Sequence, residues 1–119
     1  MLRQYALVDE ARLQGFAATV TVLFADIGGS AALSERVGHA RWPGVLAEYE
    51  AVLRDRAGVY GAHEIKAMGD GHVIAFRSAR AALRCAVGLQ RAFPIESAPD
   101  LRVRVGLHTG ESAAAGRGS

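Results

Sequence analysis

Two carboxylates and a glycine turn carry the chemistry this sequence offers. Asp26 closes the run TVTVLFAD over residues 19–26, in which Val20, Val22, Leu23 and Phe24 are β-branched or bulky and apolar. Such a run predicts a strand buried on both faces. A carboxylate at the end of a buried strand is costly unless a metal or hydrogen bonds satisfy it. Gly28 and Gly29 then turn the chain, and Ser30 is placed to cap a helix. Gly-Gly-Ser beside the carboxylate offers backbone N–H groups to an anion at a helix N-terminus. A metal-bound phosphate suits that pairing. The second carboxylate, Asp70, sits in Gly69-Asp70-Gly71 between two short apolar runs. Asp-Gly in that setting predicts a hairpin tip.

The elements that must hold these groups follow from periodicity. Residues 30–37 (SAALSERV) predict a short helix ended by Gly38. Residues 41–60 predict a longer one, with Trp42, Val45, Leu46, Tyr49, Val52 and Leu53 as its apolar stripe. Pro43 is tolerated in its first turn, and Gly58 and Gly61 close it. Residues 64–68 and 72–76 predict the two hairpin strands. A third helix is expected over 79–93, packed through Ala82, Leu83, Ala86, Leu89, Gln90 and Phe93, with Cys85 beside that face as a small core residue. Residues 101–107 (LRVRVGL) alternate, with Leu101, Val103 and Val105 on one side and Arg102 and Arg104 on the other.

The order is strand, two helices, hairpin, helix, strand. It predicts an α+β fold of ferredoxin-like, or palm, architecture: an antiparallel sheet with helices packed on one face. The first strand is then central and lies beside the hairpin. Neighbouring strands are about 4.8 Å apart, so Asp26 and Asp70 are expected to converge. Two converging carboxylates repel unless a cation joins them. Hard oxygen ligands select Mg²⁺ or Mn²⁺. Two such ions about 3.5–4 Å apart would serve an in-line attack at phosphorus. Taken singly, each group has a plainer reading: Asp70 as a turn former, Asp26 as a helix cap, Arg104 as a solvent-facing strand residue.

Other function classes are disfavoured. A net charge of +2, with scattered arginines and no basic run interleaved with aromatics, argues against nucleic acid. One cysteine, Cys85, excludes an internal disulfide framework and fits a reducing, cytoplasmic setting. No apolar run approaches the roughly 20 residues of a membrane span, and no signal-peptide pattern opens the chain. His39, His63, His72 and His108 lack metal-ligand spacing and read as loop, surface or packing residues. Ser30 has no His–Asp support for nucleophilic catalysis. With 119 residues, one domain is expected, over 18–111, after a lead-in at 1–17 and before a disordered tail at 112–119.

FADIGGS, EIKAMGDGHVIAF and LRVRVGLHTGE, in this order and at these separations, resemble the catalytic domain of class III adenylate/guanylate cyclases. The resemblance runs over about residues 20–111. It implies conversion of ATP or GTP to a 3′,5′-cyclic nucleotide and pyrophosphate, in a head-to-tail homodimer or heterodimer whose active sites lie between subunits. It implies that Asp26 and Asp70, with the backbone carbonyl of Ile27, hold two divalent ions. Gly28, Gly29 and Ser30 would contact the terminal phosphates through backbone N–H groups, and Arg104 would contact phosphate by its side chain. Lys66 matches the base-reading lysine, which acts on the partner's nucleotide. Lysine there favours adenine in the resembling enzymes, and so ATP.

The departures point another way. In the family, the LHTGE-like motif is followed by a stretch bearing a second base-reading residue, an asparagine that positions the ribose and an arginine that stabilises the transition state. Here SAAAGRGS follows, and no asparagine occurs anywhere. Losing such charge stabilisation costs several kcal/mol. Gly28 and Ala31 also stand where the family often has a bulkier apolar residue and a threonine. Little or no activity is therefore expected from this chain with itself. Two readings stand: a cyclase domain that works with a complete partner, and a non-catalytic cyclase-like module that binds nucleotide or a partner. A diguanylate cyclase is disfavoured, because the Gly-Gly-Asp/Glu-Glu-Phe hairpin is absent.

Overall fold

The computed structural model describes residues 19–69 and 71–111. The lead-in expected over 1–17, Asp70 and the tail at 112–119 lie outside the described residues. The elements are β1 (Thr19–Ile27), α1 (Ser30–Val37), α2 (Trp42–Val59), β2 (Glu64–Met68), β3 (Gly71–Phe76), α3 (Ala79–Ala92) and β4 (Val103–Glu111). The four strands form one antiparallel sheet in the order β2-β3-β1-β4. The expected α+β, palm-like arrangement is the observed one.

The β1 strand is central because its apolar run can be buried on both faces; Val20, Val22, Leu23 and Ala25 are all buried. Its odd-numbered residues Leu23, Ala25 and Ile27 point to the helices. There they share one core with Ile74 and Phe76 of β3, Leu33 of α1, Tyr49 and Leu53 of α2 and Leu89 of α3. Its even-numbered residues, Asp26 among them, point to the opposite face. No helix among the described residues is long and apolar enough to cross a membrane.

Several local expectations shift. Gly29, not Ser30, is the N-cap of α1: its φ of 63° is left-handed, its carbonyl accepts from Leu33 N–H at 3.0 Å, and no side-chain cap is found among the described residues. Only glycine adopts that conformation cheaply, so the turn consumes both glycines and Ser30 becomes the first helical residue. Gly58 lies inside α2, and Gly61 at φ 78° makes the turn after it. Strand β3 begins at Gly71 instead of residue 72, paired with Met68. Strand β4 begins at Val103 and runs past residue 107 to Glu111, since β1 offers ladder partners as far as Thr19. On the helices, Leu46 (39%) and Leu83 (55%) are exposed, while Cys85 is fully buried. The α3 face that meets the sheet is thus the stripe Ala82, Cys85, Ala86, Leu89.

Candidate active site

Strand register builds the site. Asp26 pairs with Arg104 across β1 and β4, and both side chains leave the sheet on the face away from the helices. The Arg104 Nε and Nη2 donate to Asp26 Oδ1 and Oδ2, each at 3.0 Å. This is a bidentate fork, the strongest geometry for an arginine–carboxylate pair. The Asp26 side chain is 35% exposed and that of Arg104 69%. The carboxylate, first by its hydrogen bonds and then by its charge, holds the Arg104 guanidinium still more firmly protonated than usual.

Gly28 and Gly71 let the parts approach. The Gly28 N–H donates to the Arg102 carbonyl at 2.8 Å, which ties the glycine turn to the segment entering β4. A methyl on Gly28 would lie 3.3 Å from Arg104 Cγ. A methyl on Gly71 would lie 2.8 Å from the Ala25 carbonyl oxygen and 3.0 Å from Asp26 Cβ. Gly71 is next in the chain to Asp70, so the start of β3 rests on the backbone that carries Asp26.

Two clefts flank the β2–β3 turn. One, of about 400 Å³, is lined by Phe24, Asp26, Met68, Gly71 and Arg104 among others. The second, of about 320 Å³, opens on the helix side and is lined by Ile27, Ser30, Trp42, Glu50, Gly69 and His72 among others. His72 Nε2 lies 3.1 Å from Glu50 Oε2. That contact, followed by the one from Arg54, holds the Glu50 carboxyl below the usual carboxylate range. Tyr49 stacks at a tilt on His72, with ring centroids 5.8 Å apart, and its hydroxyl is buried with no hydrogen-bond partner among the described residues. At the start of α1, Leu33 N–H is the first to find a helical acceptor, Gly29 O. The N–H groups of Ser30, Ala31 and Ala32 therefore have no acceptor within the helix.

The residues expected from sequence are distributed as follows. Asp26, Ile27, Gly28, Gly29, Ser30 and Arg104 gather at one end of the sheet. The Gly28 amide is already committed to Arg102, so its role here is close approach, not donation to an anion. Lys66 is exposed on β2, opposite Val73, on the same sheet face as Asp26 but outside the lining of the Asp26 cleft. Asp70 lies outside the described residues, and among the described residues no cluster of three or more His, Cys, Asp or Glu is placed to hold a metal. A hard divalent cation nonetheless fits the donors present. Asp26 is a half-buried carboxylate at a cleft, and both its oxygens already hold a cationic group in the form of Arg104. Sequence reasoning missed the Asp26–Arg104 pair and the Glu50–His72 contact. Each depends on register or packing between elements far apart in the chain, and composition carries no signal of it.

Comparison with known proteins agrees with this architecture. The family model described as the adenylate and guanylate cyclase catalytic domain matches residues 14–118. A receptor-type adenylate cyclase of Trypanosoma congolense is 39% identical over 79 residues, covering 63% of this chain and 10% of that protein. The chain thus spans about a tenth of that relative's length. Among solved structures, an adenylate cyclase of Trypanosoma brucei in its monomeric state is 26% identical with a TM-score of 0.70, over 79% of this chain and 57% of that one. The adenylyl cyclase CyaB of P. aeruginosa is also 26% identical, with a TM-score of 0.63 over 78% and 56%. With a match across nearly its whole length, a cyclase-like sheet and Asp26 at the end of the central strand, the chain belongs to the adenylate and guanylate cyclase catalytic domain family.

Proposed function

We propose that this chain is an adenylate cyclase-type catalytic domain acting in cyclic-nucleotide signalling, and that it turns over ATP only together with a second cyclase domain. The observation that supports this best is the corner where Asp26, Arg104 and the turn Ile27–Gly28–Gly29–Ser30 meet beside Gly71. In the reaction the ribose 3′-oxygen bonds to the α-phosphorus. The bond from that phosphorus to the bridging oxygen breaks, pyrophosphate leaves with the electron pair, and the hydroxyl proton passes to solvent.

Asp26 and Asp70, with the Ile27 carbonyl, would hold two Mg²⁺ or Mn²⁺ ions. When bound, such ions stabilise phosphate charge and make the 3′-hydroxyl more acidic. Arg104 would bind phosphate, and the N–H groups of Gly29 and Ser30 at the start of α1 would orient the terminal phosphates. Lys66 would read the base of the nucleotide held by the partner domain, because it stands away from the Asp26 cleft of its own subunit. Lysine there, and the adenylate cyclases among the relatives, favour ATP over GTP. The partner in turnover is another, complete cyclase domain, whereas a second copy of this chain would pair without turning over ATP. A domain boundary near residues 18–111 and a cytoplasmic setting, where ATP is abundant and Cys85 stays reduced, complete the reading.

The test is cyclic AMP formation from ATP with Mn²⁺, for this chain alone and mixed with a complete cyclase domain disabled in its own metal aspartates. Product is expected only in the mixture and is lost with Asp26→Asn. Product from the chain alone overturns its dependence on a partner. No product in the mixture overturns the catalytic reading and leaves a binding module.

A further inference from the structure

The fork between Arg104 and Asp26 has a consequence for the order in which a site fills. We propose that Arg104 is a resident counter-ion that closes the Asp26 cation site, and that it is handed over to the triphosphate when nucleotide arrives. The inference rests on the reading of Asp26 as a cation ligand.

Both oxygens of Asp26 accept from one guanidinium, at 3.0 Å each. A divalent cation approaching that carboxylate meets a like charge already in place and must displace it. The contact is built for a fork: Gly28 has no side chain, and Arg104 Cγ lies where a methyl there would come within 3.3 Å. The latch can also open without disturbing the core, since the Arg104 side chain is 69% exposed. A triphosphate offers the same guanidinium a planar pair of oxygens with more charge. Once Arg104 turns to phosphate, the Asp26 oxygens are released to metal in the same cleft. Nucleotide and metal then favour each other's binding through one side chain with two partners, and the coupling is reciprocal.

Binding of Mn²⁺ alone, and of α,β-methylene-ATP in saturating Mn²⁺, followed by calorimetry and by the electron spin resonance of free Mn²⁺, tests this without turnover. Arg104→Ala is expected to bind Mn²⁺ alone about tenfold tighter than the wild type and to bind the nucleotide more weakly. Arg104→Lys, which keeps the charge but not the fork, should fall between them. Unchanged or weaker Mn²⁺ binding in Arg104→Ala overturns the latch. Tighter binding of both metal and nucleotide overturns the hand-over. Asp26→Asn separates the two layers. If Mn²⁺ binds and Asp26→Asn leaves it unaffected, or if no Mn²⁺ binds to any variant, the cation reading of Asp26 has failed; Asp26-dependent binding that ignores Arg104 sinks the latch alone.

Discussion

Tyr49 shows how the surroundings of the site act on a single side chain. It is 2% exposed, and its hydroxyl meets no hydrogen-bond partner among the described residues. Burial, then the charge of Asp26, then that of Glu50 push its pKa up to about 12. The folded value lies above the unfolded one of about 10. The contribution to stability is therefore complete below about pH 10 and is lost as pH rises towards about 12. Tyr49→Phe should remove that alkaline loss. At neutral pH it should be neutral or stabilising by up to about 1 kcal/mol, because an unpaired buried hydroxyl is deleted. Urea unfolding at pH 7 and pH 11 measures both; a variant clearly less stable at pH 7 would show that the hydroxyl has a partner. The residue types at this corner were readable from the chain, Asp26 most of all, since a carboxylate at the end of an apolar strand is conspicuous. The Tyr49 hydroxyl was not, since Tyr49 reads simply as one member of a helical stripe.

Among elements, the contact between the β2–β3 hairpin and β1 sets the geometry of the site. Gly71 has no room for a side chain against Ala25 and Asp26, where a methyl would come within 2.8 Å and 3.0 Å of their atoms. The neighbours are backbone and a Cβ, which cannot swing aside. Gly71→Ala should thus lower stability by about 1–3 kcal/mol, in the range of overpacked sites. It should also weaken Mn²⁺-dependent nucleotide binding by displacing β3. Thermal unfolding checks the first effect and calorimetry the second; an unchanged melting temperature would contradict the packing described. Helix and strand identities were legible from periodicity, whereas their ends moved. Gly29 took the cap expected of Ser30, and β4 lengthened because β1 supplied partners along its whole length. The α3 stripe rotated to include Cys85 and release Leu83, because small residues let the helix sit closer to the sheet.

On the scale of the whole molecule, the sheet order leaves β4 at an edge among the described residues. It is nine residues long, and Leu107 near its middle is 41% exposed, with Val87 of α3 (43%) also exposed. Long apolar edges invite pairing with other chains. Leu107→Lys should slow concentration-dependent aggregation of this polypeptide while shifting its stability by less than about 0.5 kcal/mol. Light scattering through a thermal ramp, alongside an unfolding curve at low concentration, measures the two. Unaltered aggregation would move the sticky surface elsewhere.

By itself the sequence determined the class of fold and the family, and it carries the residue types that we propose meet metal and phosphate. Apolar period, glycine placement and isolated charge are local properties, written into consecutive residues. Tertiary structure alone decided which of those groups face one another. Antiparallel register set Arg104 on Asp26, the glycine turn committed the Gly28 amide to Arg102, and the second edge position carried Lys66 away from the cleft. Contacts between residues some 78 positions apart, such as Arg104 with Asp26, depend on how strands align. That alignment is a cooperative outcome of burying the whole core, and no single stretch of chain contains it.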